Sequence, residues 1–240
     1  METREQIGKW YDGFAGRQVK TSVNLRHYKI MEFLASAGLS QSDRVLEVGC
    51  GIGTLTGLLA CYLRKGEIVA VDISPESVEI ARQRLSRTSN VRFMVSDMTD
   101  FDHTGVFDFI ILPDVLEHIP VDQHRRLFRT LADHMHDESV ILIHIPHPRA
   151  LDYIRTTDPG QMQIVDQSIE ADTMLADAYA NGLTLINYNS YSLFVREHDY
   201  SVISLRKKNP VTLSPLPKRA IIARKLFSRT RFLLSRLRPF

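Results

Sequence analysis

The chain has 240 residues, of which 44% are hydrophobic and 24% are charged, a composition typical of a soluble globular protein with one sizeable α/β domain or two small ones. No apolar run approaches the ~18 residues of a membrane span, and the polar start METREQIGKW does not resemble a signal peptide. Only Cys50 and Cys61 are present, which excludes a disulfide framework, so we expect a cytoplasmic protein.

Charge is distributed unevenly along the chain. The formal net charge is +2, but residues 206–240 contain 11 Lys or Arg and no acidic residue, which leaves 19 basic against 28 acidic residues in 1–205. The acidic body argues against a broad nucleic-acid surface. The basic tail therefore needs a separate explanation.

The hydrophobic pattern alternates between helical and strand periodicity. Helices are predicted at residues 3–12, 24–37, 54–64, 75–86, 122–135 and 169–181, and strands at 44–48, 67–72, 91–95, 106–112, 139–145, 183–191 and 199–206. Strands rich in Val and Ile that alternate with helices predict a parallel sheet buried on both faces. We expect a doubly wound, seven-stranded α/β fold whose last two strands form an antiparallel pair at the sheet edge.

Three regions are predicted around this sheet. Residues 1–43 form N-terminal helices and a lid, residues 44–206 form the core, and residues 207–240 form a basic tail. A stretch with two prolines and a glycine near 148–170 indicates a short helix or loop inserted into the core, where it would cover a site.

The stretch VLEVGCGIGTLTG, which begins at Val45, places an acid before a glycine cluster. A glycine turn between a strand and a helix is the usual nucleotide platform of doubly wound folds. Gly49, Gly51 and Gly53 form G-x-G-x-G, whereas dinucleotide binding requires G-x-G-x-x-G, and Glu47 would repel a pyrophosphate. An NAD enzyme is therefore disfavoured. The acid suits a ligand with a cationic end, such as S-adenosylmethionine, which carries an ammonium and a sulfonium.

Further residues at the predicted strand ends fit that ligand. Asp72 ends the second strand, where a carboxylate can accept both ribose hydroxyls, and Ile73 beside it can pack on the adenine. Asp97 follows the third strand and can accept the adenine amino group, although a helix N-cap explains an acid there nearly as well. Met98 and Pro113 complete the set of predicted cofactor contacts.

Four pieces of sequence, VLEVGCGIG, VAVDIS, VSDMTD and FDFIILPDVLEHI, occur in an order and spacing that resemble the class I S-adenosylmethionine-dependent methyltransferases. The resemblance covers residues 44–146. It implies a Rossmann-like methyltransferase fold, S-adenosyl-L-methionine as cofactor and methyl transfer as the activity. The piece DVLEHIP resembles small-molecule O-methyltransferases such as those of the ubiquinone pathway, and residues 146–206 resemble, more loosely, methyltransferases of bacterial saccharide biosynthesis.

The N-terminal piece YDGFA resembles the segment with which many of these enzymes cover the cofactor. The resemblance implies that Tyr11 contacts the cofactor and that Arg17 meets a carboxylate of the cofactor or the substrate. An amphipathic helix followed by an exposed loop is the alternative. Lids of this kind commonly exclude water and become ordered on binding.

Transfer of a methyl group from a sulfonium to a hydroxyl requires in-line positioning and removal of the hydroxyl proton. His118, His144 and His147 lie near the predicted ends of strands. His118 is the preferred proton acceptor and His147 the second catalytic candidate, while histidines that only pack or cap a helix are the alternatives. No metal site is predicted.

The predicted acceptor is a hydroxyl of a small-molecule, saccharide or lipid-linked substrate. A soluble carboxylic acid or natural product, and a nucleic-acid-associated substrate, are the alternatives. The amino-methylating DNA enzymes carry an Asp/Asn-Pro-Pro-aromatic tetrad where this chain has LPDV, so a nucleic-acid substrate fits less well. The sequence leaves the oligomeric state open.

The tail is predicted to form a helix over residues 218–238. Ile222, Leu226, Leu233 and Leu237 fall in one sector of that helix, and most of its Arg and Lys residues lie opposite. A basic amphipathic helix is typical of a peripheral anchor on an anionic membrane surface, here the inner face. Docking on the acidic body, docking on a second subunit and binding to a nucleic acid are the alternatives.

Overall fold

The computed structural model describes residues 6, 8, 10–12, 22–99, 101, 103–210 and 214–235, with side chains described up to Arg231 in the last segment. The chain divides into two units, Met1–Lys208 and Asn209–Phe240. The first unit contains the sheet and the second contains a helix.

The bounds of the regular elements agree closely with the predicted ones. The strands are β1 Arg44–Val48, β2 Glu67–Asp72, β3 Val91–Val95, β4 Phe107–Pro113, β5 Met135–Pro146, β6 Leu183–Tyr191 and β7 Tyr200–Lys207. The helices are α1 Leu25–Ser36, α2 Thr54–Tyr62, α3 Pro75–Arg84, α4 Val121–Asp133, α5 Pro148–Thr157, α6 Ala171–Ala180 and α7 Lys218–Ser235. Two short 3-10 turns occur at Leu116–His118 and Pro159–Gln161.

The seven strands form one sheet in the order β3-β2-β1-β4-β5-β7-β6. Strands β1 to β5 are mutually parallel, and β7 is antiparallel to both of its neighbours, β5 and β6. The doubly wound fold and the antiparallel pair at the sheet edge are therefore confirmed. The chain changes direction along the sheet between β1 and β4, and open α/β sheets bind their ligands at such a switch point.

The core lies on both faces of the sheet because successive side chains of each strand point to opposite sides. On one face, Leu46 of β1 belongs to the same buried cluster as Phe128 of α4 and Met174 of α6. On the other face, Val45 belongs to a second buried cluster together with Leu34 of α1 and Leu59 of α2. Helices thus cover both faces and leave the carboxyl ends of the strands open for a site.

One boundary differs from the expectations, and two other details agree with them. Strand β5 begins at Met135 rather than at 139, because Met135 pairs with Phe107 across a register shift, and the polar residues between hid this extension in the hydrophobic pattern. The insertion, which the sequence left as a helix or a loop, contains helix α5 and the turn Pro159–Gln161. The predicted start of α3 is confirmed, since the Ser74 hydroxyl accepts the N–H of Ser77 at 3.0 Å.

Helix α7 forms the described part of the second unit beyond its linker. The described side chains of α7 include the exposed apolar residues Ile222, Leu226 and Phe227, at 58%, 58% and 70% exposure. No helix in the described part of the chain is long and apolar enough to cross a membrane.

Candidate active site

A cavity of about 480 Å³ opens where the carboxyl ends of the parallel strands meet. It is lined by Glu47 from β1, Asp72 from β2, Asp97 after β3, Pro113 from β4 and Pro146 from β5. Its volume lies within the range of small-molecule and cofactor sites. The topological switch point divides it into a half over β1 to β3, here called the cofactor half, and a half over β4 and β5, here called the acceptor half.

The glycine loop forms the floor of the cofactor half. The N–H groups of Gly49 and Cys50 both donate to the carbonyl of Val71, at 2.8 and 2.9 Å, which turns the chain sharply after β1. Gly49 has a φ of +76°, and a Cβ atom there would lie 2.2 Å from Cγ2 of Val115. Only glycine fits at this position, because it tolerates both the left-handed backbone and the close packing.

Glu47 is completely buried beneath this loop and lines the cavity. Neither of its carboxylate oxygens has a hydrogen-bond partner among the described residues. Burial raises the pKa of Glu47 to about 8, although the nearby hydroxyl of Thr56 opposes the increase. An unpaired buried carboxyl is costly, and a cationic group in the cavity would compensate for that cost.

Asp72 lines the cavity at the end of β2 and holds the loop in place. Its carboxylate accepts the N–H of Gly51 at 2.7 Å and the N–H of Ser74 at 2.9 Å. Burial raises the pKa of Asp72, and these two N–H groups oppose the increase. Ile73 also lines the cavity, and the Ser74 hydroxyl donates to Oδ1 of Asp12 at 2.5 Å, which ties the N-terminal segment to α3.

Of the four remaining predicted cofactor residues, two line the cavity and two do not. Asp97 and Pro113 line the cavity, and Oδ1 of Asp97 accepts the N–H of Thr99 at 3.0 Å in a local turn. Met98 has a φ of +66°, and its side chain is buried in the core rather than in the cavity wall. Gly53 begins α2 as its N-cap, with a φ of +77°. The cofactor roles of these four residues stay predictions.

Of the two residues predicted for the lid, Tyr11 lies at the cavity. Its ring centroid is 6.1 Å from that of His118, and burial raises its pKa, with Glu117 adding to the effect. Tyr11 therefore connects the N-terminal segment to the acceptor half. Arg17, the predicted partner of a carboxylate, lies outside the described residues.

His118 lines the acceptor half with one ring nitrogen already occupied. Its Nδ1 lies 2.7 Å from the carbonyl oxygen of Val165 and 3.4 Å from Oδ1 of Asp166. A carbonyl only accepts, so Nδ1 carries the proton of the neutral ring, which leaves a lone pair on Nε2. Burial lowers the pKa of His118, whereas Asp166 raises it. The neutral ring has the form that a proton acceptor needs.

The other two histidines are placed differently. Nδ1 of His147 accepts the N–H of Arg149 at 3.3 Å and so caps α5, and His147 is not among the described residues that line the cavity. His144 is fully buried in β5, where its ring nitrogens lie 2.8 Å from Oδ1 of Asp114 and 2.6 Å from the hydroxyl of Tyr191. The catalytic role of His147 stays a prediction that this geometry does not favour.

A buried polar cluster at the acceptor half was missed by the sequence analysis. Asp114 has a φ of +55° and is held by His144 and by Arg26, whose Nε lies 3.1 Å from Oδ2 of Asp114. Burial alone would raise the pKa of Asp114, but Arg26 and His144 hold it below its usual range. The cluster joins α1, β4 and β5, and its members are too far apart in sequence to form a motif. Arg26 and Tyr200 line the cavity.

Glu117 and two residues of the insertion were also missed. Glu117, Gln163 and Asp166 line the cavity around His118. Oε1 of Glu117 lies 3.8 Å from Nε2 of His118. The position of Glu117 beside His118 in LEH was an available signal, whereas nothing in the local pattern singles out Gln163 or Asp166.

The residues of the cofactor half fit S-adenosylmethionine. The buried oxygens of Glu47 lack a partner that an ammonium would supply, Gly49 permits close approach, and Asp72 lies at the strand end where ribose hydroxyls bind in such folds. The G-x-G-x-G spacing and the buried acid disfavour a pyrophosphate.

Comparison with known proteins agrees with this interpretation. Residues 45–138 match the family model of a methyltransferase domain. The chain is 30% identical over 94 residues to nodulation protein S of Sinorhizobium fredii, covering 39% of this chain and 42% of that protein. It is 35% identical over 102 residues to the magnesium-protoporphyrin O-methyltransferase of Rhodobacter capsulatus, covering 42% of this chain and 44% of that protein. The matched segment thus spans less than half the length of these curated relatives.

Solved structures show the same fold over most of the chain. A magnesium protoporphyrin IX methyltransferase from Synechocystis PCC 6803 with bound SAH superimposes with a TM-score of 0.67 at 19% identity, covering 85% of this chain and 99% of that one. An S-adenosylmethionine-dependent methyltransferase from Clostridium acetobutylicum gives 0.65 at 15% identity, covering 83% and 99%. The fold is that of the Rossmann-like methyltransferases. Residues 45–138 thus match a methyltransferase domain, within a fold that this chain shares with solved S-adenosylmethionine-dependent methyltransferases.

Proposed function

We propose that the protein transfers the methyl group of S-adenosylmethionine to a hydroxyl of a small-molecule acceptor, with His118 as the proton acceptor. The observation that carries the choice of a hydroxyl is the 2.7 Å contact between Nδ1 of His118 and the carbonyl oxygen of Val165. The bond to the Val165 carbonyl keeps the proton on Nδ1 and leaves Nε2 able to accept one at the cavity. A hydroxyl must lose its proton when it is methylated, and a neutral buried histidine suits that task.

Different residues of the cavity would bind different parts of the cofactor. Glu47 would face the ammonium of the cofactor, Asp72 its ribose, and Ile73 its adenine. The bound cofactor supplies a methyl group on a positively charged sulfur, which needs little further activation. The acceptor oxygen bonds to the methyl carbon as the carbon–sulfur bond breaks, the electron pair of that bond stays on sulfur, and the hydroxyl proton passes to Nε2 of His118.

A methyl-transfer screen tests this function. Purified protein would be incubated with methyl-labelled S-adenosylmethionine and with quinone precursors, saccharides, lipid-linked sugars, amines and soluble carboxylic acids. We expect the label to appear in an ether product, and unlabelled S-adenosylhomocysteine to form in an amount equal to that product. Asp72→Ala should lose cofactor binding in calorimetry, and exposed Asp158→Ala should keep it. Methylation of an amine or a carboxyl group alone would contradict the hydroxyl assignment.

We further propose that the acceptor is a saccharide or lipid-linked compound that is met at an anionic membrane surface. Support comes from α7, whose described side chains include six exposed Lys or Arg and the exposed apolar residues Ile222, Leu226 and Phe227. Each basic residue near an anionic leaflet contributes about 1 kcal/mol to attachment. The predicted contacts of Leu233 and Leu237 concern side chains outside the described set.

Sedimentation with vesicles tests the membrane proposal. Full-length protein should sediment with phosphatidylserine-containing vesicles and less with pure phosphatidylcholine, and a chain truncated after Asn209 should remain in solution. A variant with Ile222→Ser and Leu226→Ser keeps every charge and should bind more weakly, because it loses the apolar contribution. Equal sedimentation of full-length and truncated protein would contradict the anchor and favour docking on a protein or nucleic acid.

A further inference from the structure

The acceptor half contains polar atoms that the proposed proton transfer does not use. Glu117 is only 2% exposed and lines the cavity, and its Oε2 has no hydrogen-bond partner among the described residues. Oε1 of Gln163, in the same cavity wall, is likewise buried without a partner in the described part of the chain. Since buried polar atoms in folded proteins are nearly always hydrogen-bonded, a ligand is expected to supply the missing donors.

The cofactor does not account for these atoms. Apart from Tyr11 and Pro113, the proposed cofactor contacts lie at or after the ends of β1, β2 and β3, whereas Glu117 lies in the turn after β4 and Gln163 in the insertion after β5. The ammonium of the cofactor is matched by the unpaired oxygens of Glu47. Glu117 and Gln163 are therefore left for the methyl acceptor.

The spacing of the acceptor half restricts which acceptor fits. Oε1, the other oxygen of the Glu117 carboxyl, lies 3.8 Å from Nε2 of His118, so a donor on the atom next to the methylated hydroxyl would reach this carboxyl. The methylated hydroxyl has a single proton, which goes to His118. A second donor next to it is needed for Glu117, and hydroxyls on adjacent carbons have this arrangement. A hydroxyl both donates and accepts, so it matches Glu117 in either protonation state, whereas an ammonium matches only the carboxylate.

We propose that the methyl acceptor is a vicinal diol, in which one hydroxyl gives its proton to His118 and the neighbouring hydroxyl binds Glu117, with Gln163 completing the subsite. The second hydroxyl is bound and not transformed. Glu117 thereby selects the substrate, and the product is a monomethyl ether. This inference rests on the proposed function, because it names the substrate class of the same site.

Calorimetry with matched probes tests the diol subsite. The full chain, saturated with S-adenosylhomocysteine, would be titrated with catechol and phenol, and with cis-1,2-cyclohexanediol and cyclohexanol. We expect each diol to bind at least about 10-fold more tightly than its single-hydroxyl partner, the effect of one hydrogen bond to a buried carboxyl. Glu117→Leu should reduce this ratio towards 1, and Glu117→Gln should retain part of it. Glu170→Leu, at an exposed acid outside the cavity, is the matched control.

The outcomes separate the two proposals. If the diols bind no more tightly than the single hydroxyls, or if Glu117→Leu leaves the ratio unchanged, the diol subsite is overturned while the methyltransferase assignment stands. If S-adenosylhomocysteine itself does not bind, the proposed function fails and the subsite with it. Formation of 2-methoxyphenol from catechol, with a slower reaction of phenol, would support both.

Discussion

The two halves of the cavity are built in different ways. The cofactor half is made by one continuous stretch of chain, and it holds its shape through backbone groups, such as the N–H of Gly51 that Asp72 accepts at 2.7 Å. The acceptor half is made by side chains from α1, from the turn after β4 and from the insertion, among them Arg26, Glu117 and Asp166. A half built from the backbone suits a ligand that is recognised through its shape, and a half built from side chains suits an acceptor that is recognised through its functional groups.

The comparison predicts different consequences of mutation. Changes in the glycine loop of the cofactor half should weaken cofactor binding and the fold together, because the loop is also part of the packing. Changes in the acceptor half should alter turnover, pH dependence or selectivity, and should leave cofactor affinity near its original value. Mutations in each half test this division.

The largest effect is expected in the acceptor half. His118→Ala removes the proton acceptor and should lower kcat by about 10²–10⁴-fold. Cofactor affinity in calorimetry should change little, because His118 lies on the opposite side of the switch point from Glu47 and Asp72. Single-turnover kinetics with the acceptor found in the methyl-transfer screen would measure the rate of the chemical step.

His147→Ala is the comparison for that experiment. It removes a cap of α5, which costs about 0.5–2 kcal/mol of stability, and should leave most of the turnover. Near-normal turnover in His118→Ala, with a large loss in His147→Ala, would transfer the role of base to His147. Little loss in either variant would mean that no histidine base acts.

The next largest effect is expected in the cofactor half. Gly49→Ala places a Cβ atom 2.2 Å from Cγ2 of Val115 at a φ of +76°. The loop must move, and affinity for S-adenosylhomocysteine should fall by about 10²-fold or more, since strain of this kind costs on the order of 1–3 kcal/mol before the clash is added. Calorimetry gives the affinity, and thermal unfolding should show a lower Tm.

Two variants separate the clash from the backbone strain. Gly38→Ala also has a left-handed backbone, with a φ of +102°, but meets open space, so it should lose stability and keep cofactor affinity. Val115→Ala introduced together with Gly49→Ala removes the obstructing methyl groups and should recover part of the affinity. Normal binding by Gly49→Ala alone would show that our account of the loop is wrong.

The same division explains how much could be predicted. The fold class and the positions of the strands follow from buried apolar runs alternating with helices. Glu47, Gly49 and Asp72 could be selected because the cofactor half lies within one continuous piece of sequence. Arg26 and Asp166 were missed because only the folded sheet brings α1 and the insertion to the end of β4. Long-range packing of single side chains leaves no periodic or spaced pattern in a sequence.

Asp166 should act on His118 and not on the acceptor, with a smaller effect than loss of the base. Its Oδ1 lies 3.4 Å from Nδ1 of His118, and its charge raises the pKa of that ring against the lowering due to burial. Asp166→Asn removes the charge, so the pKa of His118 should fall. The acid limb of the pH profile of kcat/KM should move to lower pH, and the plateau should drop by about 10-fold or less, because a weaker base accepts the proton less readily.

A purely structural role of Asp166 would give a different result. Its Oδ2 accepts the N–H of Gln163 at 2.9 Å, and an asparagine can still accept that bond through its side-chain carbonyl. If Asp166 only held the insertion in place, its replacement would lower activity equally at every pH and would not move the acid limb of the pH profile. An unmoved limb in Asp166→Asn would contradict electrostatic coupling to His118.

The last effect is expected from Glu47→Gln, and it concerns stability in the absence of cofactor. Burial raises the pKa of Glu47 from its ordinary 4.5 to about 8. Between these pH values the folded chain keeps a proton that the unfolded chain has lost, so wild-type stability falls as the pH rises, by at most about 1.4 kcal/mol per pH unit. Glutamine does not titrate, so the free energy of unfolding of the variant should exceed that of the wild type by an amount that grows across this window, on the order of 1–3 kcal/mol in all.

If Glu47 faces an ammonium, the bound ligand should make the wild type more stable than Glu47→Gln. Saturating S-adenosylhomocysteine favours the ionised carboxylate, so the wild type should regain stability above pH 7 and bind more tightly than Glu47→Gln. Urea unfolding at several pH values, with and without the ligand, measures both effects. A wild type that stays less stable than the variant in the presence of ligand would show that the ammonium does not lie against Glu47. The cofactor would then be bound by the backbone of the cofactor half and by Asp72 alone. No other buried acid in the described part of that half has both oxygens unpaired.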